Sequence, residues 1–149
     1  MLVFTEVTEQ DTVFVFEVFK STRVEEFIMM NMPEEQLEML MHMQFRAQQM
    51  SYQNQYPSAS HQIIEINDRK AGYIITDRHD DRIRLIFIAL LLDFRNQGYG
   101  TSILQQLKET TSFIMLQVAE NNPARQLYYK LGFTEQEESP PYITMQWQR

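Results

Sequence analysis

The chain has no cysteine, only four glycines and a single tryptophan among its 149 residues. The missing cysteines exclude thiolate nucleophiles, redox pairs, iron–sulfur clusters, thiolate zinc sites and disulfides together, and they fit a reducing compartment. Bases are also scarce. Lys and Arg total 13 against 20 Asp and Glu, for a formal charge of −7, which disfavours a partner held by phosphate neutralisation, so no nucleic acid is expected. No run approaches the roughly 18 apolar residues of a membrane span, and the start lacks a basic stretch followed by an apolar one. The expectation is a soluble, unprocessed, cytoplasmic protein with no membrane partner. The three histidines, His42, His61 and His79, have no close paired spacing, so no metal is expected. A length of 149 residues fits one domain, residues 1–149, able to bury a core unaided.

The charge is unevenly placed. Residues 1–40 carry nine acids and two bases, whereas residues 41–149 carry eleven of each. All the net charge lies in the N-terminal quarter. A binding site bordered by that quarter would favour cations, the alternative being that the acids only keep the surface solvated.

Periodicity gives the coarse elements. Residues 2–7 read as a strand and residues 9–20 as a helix with an acidic opening. Pro33-Glu34-Glu35 starts a second helix reaching about Gln53, with Leu37, Leu40, Met41 and Phe45 on one face. Its many Met residues read as core filler rather than a partner groove. Residues 61–67 and 71–76 form a hairpin around Asn67-Asp68. Residues 77–81 read as a solvated turn, because they lack the spaced acids and central glycine of a calcium loop. Residues 82–92 are too hydrophobic for a strand with one wet face and read as central. Residues 101–110 form a helix burying Ile103, Leu104 and Leu107. A buried strand at 113–118, a helix at 123–131 closed by Gly132 and a last strand at 142–147 complete a mixed α and β chain around one sheet.

Two of the four glycines fall in Arg95-Asn96-Gln97-Gly98-Tyr99-Gly100, between the most hydrophobic strand and a helix. Glycine allows close backbone approach, and free N–H groups at a helix start point at anions, so this loop is shaped for a phosphate. An ordinary strand-to-helix turn has the same glycines, and they do not decide between the two.

Arg95-x-x-Gly98-x-Gly100 after a hydrophobic strand resembles the acetyl-CoA diphosphate loop of the GNAT superfamily of N-acetyltransferases. Asn121-Asn122-Pro123-Ala124-Arg125-Gln126-Leu127-Tyr128, with Gly132-Phe133 beyond, resembles that superfamily's second conserved segment. The resemblance implies an α/β (α+β) fold: a central mixed, mostly antiparallel sheet of six to seven strands with about four helices, splayed between its fourth and fifth strands. It implies acetyl-CoA as acetyl donor and no metal. It places the backbone of Ile88, Ala89, Leu90, Leu91 and Leu92 beside the pantetheine arm, with the Leu90 N–H polarising the thioester carbonyl. The backbone of Asn96, Gln97, Gly98, Tyr99, Gly100 and Thr101 would hold the diphosphate. The Arg95 side chain could add charge, Asn121 and Ala124 would contact the cofactor, and Tyr128 would protonate the departing sulfur as general acid. Packing is the plain alternative for Tyr128, and loop capping for Asn121.

The implied reaction is attack of a neutral amine on the thioester, the acceptor being a cationic small molecule or a lysine or N-terminal amine. Many relatives keep a carboxylate on the fourth strand as base, but residues 86–90 carry none. Glu25, Glu26, Tyr52, Tyr56 and His61 remain as candidates, as does a water relay. The missing carboxylate also keeps open a non-catalytic acetyl-CoA-binding module, and the Met-rich helix an adaptor. A homodimer is common in the superfamily.

Overall fold

The structure, a computed structural model, describes residues 1–149. The strands are β1 (Leu2–Glu6), β2 (Ser60–Ile66), β3 (Arg69–His79), β4 (Arg82–Leu90), β5 (Phe113–Ala119), β6 (Thr134–Ser139) and β7 (Tyr142–Gln148). They form one sheet in the order β1-β2-β3-β4-β5-β7-β6. Short turns make β2, β3 and β4 an antiparallel meander: Asn67 and Asp68 both take positive φ, as a two-residue hairpin turn with right-handed twist requires. The connection from β4 through a helix to β5 makes that pair parallel, and every other pairing is antiparallel.

Helices cover both faces. On one side α4 (Tyr99–Glu109) and α5 (Ala124–Lys130) pack on the sheet through Ile103, Leu104, Leu107 and Tyr128. On the other, α1 (Thr12–Ser21) and α3 (Glu34–Gln55) close over Ile63, Tyr73 and Ile75, with Phe27 of the short α2 (Val24–Met29) filling the corner. Ile64 and Ile74 point into the first core and Ile63 and Ile75 into the second, the two-residue alternation of strands with both faces covered. Each such side chain, nearly free of solvent, contributes roughly 1.5–3 kcal/mol by burial. The acidic turn before α1 is fixed by Asp11, which accepts from the Thr8 N–H at 2.9 Å and from Lys70 at 2.8 Å.

Several expectations need correction. The segment 77–81 is not all turn: β3 runs through Asp77, Arg78 and His79, which pair with β4, and only Asp80-Asp81 turns. The strand expected over residues 82–92 stops at Leu90, and Leu92 opens a 3-10 turn (Leu92–Phe94). Of the methionines of α3, Met41 alone is core filler. Met41 is buried, but Met39, Met43 and Met50 are 67%, 60% and 64% exposed, because α3 touches the body along one narrow stripe through Met41, Phe45 and Tyr52. β6 and α2 have no counterpart in the periodicity. β6 is exposed throughout, an edge strand of Glu and Gln with no apolar alternation to betray it.

Candidate active site

Strands β4 and β5 begin side by side and then part. Residues 82–85 pair with 113–116, after which β5 continues against β7 alone and β4 against β3 alone. The β5-facing edge of residues 86–90 is therefore a free backbone edge. Its register follows from one hydrogen bond: the Leu91 N–H donates to the Ala71 carbonyl at 2.8 Å. Antiparallel ladders alternate, so Ala89 and Phe87 also bond toward β3, while the backbone groups of Ile88 and Leu90 face the gap left by β5. The Leu90 N–H thus faces the open gap.

Beyond the strand, Phe94 is buried and anchors the loop against the ring of Tyr99, 6.3 Å away. Asn96 (φ 60°) and Gly98 (φ 84°) take left-handed conformations, with α4 starting at the next residue. Such alternation turns successive amides toward one concavity. The N–H groups of Asn96, Gln97, Gly98, Tyr99, Gly100 and Thr101 donate to no protein acceptor, the first amide to close the helix being that of Ser102, onto the Gly98 carbonyl. Six unused donors at the positive end of an eleven-residue helix suit a diphosphate. Nothing would lie within 4 Å of a Cβ at Gly98, so this side of the loop is open. Gly100 has a second duty: a Cβ there would sit 3.1 Å from the Leu127 side chain, so it also lets α4 and α5 approach.

Tyr128 comes from α5, its ring buried against Phe133 at a centroid distance of 5.6 Å. Burial pushes its phenol up to about 12. Its hydroxyl has no protein hydrogen-bond partner, and since no partnerless side-chain oxygen is wholly sealed from solvent, it keeps some solvent contact. Loop capping falls to Asn122, whose Oδ1 accepts from the Ala124 N–H at 2.9 Å, leaving Asn121 exposed and unengaged. The Arg95 side chain turns away from the loop, its Nε donating to the Leu90 carbonyl at 2.7 Å.

On the other face of β4, Phe87 lies beside Tyr73 and Tyr52, with ring centroids 5.6 Å and 6.4 Å away. Burial raises the Tyr52 phenol, with Tyr142 and Tyr56 acting in the same direction and Arg23 against them. The Tyr73 hydroxyl is hydrogen-bonded to Nδ1 of His61, whose ring burial holds in the neutral form. Glu25 and Glu26 are exposed, and Glu26 pairs with Arg23 at 3.4 Å.

Residues 57–135 match the family model described as "Acetyltransferase (GNAT) domain". An uncharacterised N-acetyltransferase of Methanocaldococcus jannaschii is 27% identical over 100 residues, covering 62% of this chain. The chain spans 64% of that relative's length. Among solved structures, the PaiA N-acetyltransferase of Thermoplasma acidophilum in complex with coenzyme A superposes with a TM-score of 0.71 at 14% identity, covering 100% of this chain and 99% of the other. An acetyltransferase of Thermus thermophilus gives 0.70 at 16% identity, covering 100% and 97%.

Proposed function

Because the chain belongs to the GNAT acetyltransferase family, we propose that it transfers the acetyl group of acetyl-CoA to a primary amine. The observation that carries this reading is the continuity of the free β4 edge with the six unused amides of residues 96–101. One row of backbone groups takes an extended arm, and the next takes its diphosphate. Acetyl-CoA, when bound, supplies an activated acyl carbon and a sulfur leaving group.

The chain supplies the rest. The Leu90 N–H polarises the carbonyl oxygen, and a positioned amide of this kind is worth roughly 3 kcal/mol where charge develops. Asn121 and Ala124 border the arm from the α5 side. Tyr128 keeps its proton at neutral pH and gives it to the departing sulfur. A phenol raised to about 12 is a weak acid for a thiolate of ordinary pKa, but the same desolvation raises a thiolate held beside it, which narrows the gap. No carboxylate of β4 takes the amine's proton, so the acceptor must arrive neutral or lose its proton to water or to a group outside that strand.

The acceptor is a cationic amine. Arg95 contacts Ser21, the last residue of α1, so the acidic quarter borders the gap between β4 and β5, and its negative field concentrates amines there. Polyamines, aminoglycosides, lysine peptides and neutral amines assayed by thiol release provide the test. Turnover with di- and polycationic amines is expected, and preference for neutral or acidic acceptors would overturn the cationic reading. Binding of acetyl-CoA with no turnover across the panel would instead establish a binding module, which the carboxylate-free β4 favours as the second reading.

A further inference from the structure

Arg95 occupies the charged position of the loop, where the family resemblance offers its guanidinium to the diphosphate. The geometry points elsewhere, and we propose that Arg95 is a positioning residue: a strut that locks the cleft-facing Leu90 carbonyl to the end of α1. This rests on the acetyl-transfer reading above.

Three contacts define the strut. Nε donates to the Leu90 carbonyl at 2.7 Å, and Nη2 reaches the carbonyl and the hydroxyl of Ser21 at 3.4 and 3.3 Å. Ser21 Oγ is itself held by donating to the Val18 carbonyl at 2.6 Å. Ser21 ends α1, where the partial negative charge of the helix terminus favours a cation. The planar guanidinium thus ties the end of β4 to the end of α1, which lies 74 residues from Arg95 in sequence.

The consequence falls on one peptide unit. The Leu90–Leu91 peptide donates its N–H to Ala71 and gives its oxygen to Arg95, so both polar ends are fixed. The Leu90 N–H, on the adjoining peptide, inherits that orientation. Arg95 also takes the acceptor that a bound arm could otherwise use. Because Ser21 lies within residues 1–40, the strut joins the acidic quarter to the donor cleft.

The two roles separate when the donor is truncated. S-acetylpantetheine lacks the diphosphate, and ADP carries a diphosphate without the arm. With the full chain, R95Q and R95K are expected to lower kcat about tenfold or more with both acetyl-CoA and S-acetylpantetheine, as a misplaced group does. KM for acetyl-CoA and calorimetric affinity for ADP should stay within about twofold, since the diphosphate is held elsewhere. Lysine should not rescue, because a point charge cannot span two acceptors in a fork. Ser21→Ala leaves the arginine in place and should lower kcat in the same direction with both donors. A loss confined to acetyl-CoA and ADP, appearing in KM and restored by R95K, would overturn the strut. Should the Arg95 variants not fold, an unchanged kcat for S21A overturns it as well. A wild-type chain that binds acetyl-CoA and turns over no amine defeats the acetyl-transfer reading instead, and the ADP and CoA affinities of R95Q then still decide between strut and ligand.

Discussion

Tyr128 shows how burial sets the state of one side chain. Its ring is core and its hydroxyl is not, so the same burial that holds α5 to the sheet keeps the phenol protonated. Tyr128→Phe preserves the ring and removes the proton. The expected result is a fall in kcat of about 10²-fold with little change in acetyl-CoA affinity, within the range of general acid contributions. Steady-state kinetics beside calorimetry checks this, and undiminished turnover would remove Tyr128 from the mechanism. Tyr73 shares its state, with a phenol also raised to about 12 by burial. Both pKa values lie above the unfolded value of 10.0, so their contribution to stability is complete below pH 10 and is lost as pH climbs from there through 12. An ultraviolet titration should therefore find Tyr73 and Tyr128 ionising late among the seven tyrosines, with Tyr52 shifted in the same direction, together with alkaline unfolding. All seven titrating as one group near pH 10 would contradict the burial described.

Among the elements, β4 matters most, since it is a core strand paired on both sides over its first half and a free backbone edge over its second. The sequence run was legible as a strand because it is aliphatic, but its end was misplaced. Leu91 and Leu92 are as apolar as what precedes them, and only the 3-10 turn over Leu92–Phe94 ends the strand. Gly72 on β3 sets how closely the partner strand approaches: a Cβ there would lie 2.2 Å from the Ala89 carbonyl oxygen, a backbone atom that cannot move alone. Gly72→Ala should therefore cost about 1–3 kcal/mol, as overpacking does, and displace the Ala89–Leu90 peptide. Urea unfolding measures the first effect and a lowered kcat the second; wild-type values of both would show that the strands separate without penalty. α3 was legible in its start, Pro33-Glu34-Glu35, and illegible in its burial. Helical spacing marks a face, but how wide a face is covered depends on what lies opposite.

For the whole molecule, net charge is the quantity that spans the parts. The nine acids of residues 1–40 meet few cations: Lys20 serves Glu17 and Glu38, Arg23 serves Glu26, and Lys70 serves Asp11. The remainder, Glu6, Glu9, Glu25, Glu34 and Glu35, leaves the N-terminal quarter net negative, and such fields are screened over about 8–10 Å at physiological salt. KM for a polyamine should accordingly rise several-fold between low and roughly 0.5 M salt while KM for a neutral amine does not. Equal salt dependence for both acceptors would detach the acidic quarter from acceptor capture.

Some features needed only the chain. The glycine-bearing loop, the helix that follows it and the motif around Tyr128 are short-range, because turn dihedrals, helix starts and i-to-i+4 spacing depend on neighbouring residues, and these identified the family-like site. The sign of the charge and its place along the chain were likewise readable from residue order alone. The partnering of Arg95 with Leu90 and Ser21, the stacking of Phe87 beside Tyr52 and Tyr73 and the exposure of the α3 methionines were settled by tertiary structure. Each depends on which distant segment is packed opposite, and a side chain's burial and hydrogen-bond partners follow from that packing rather than from its neighbours in sequence.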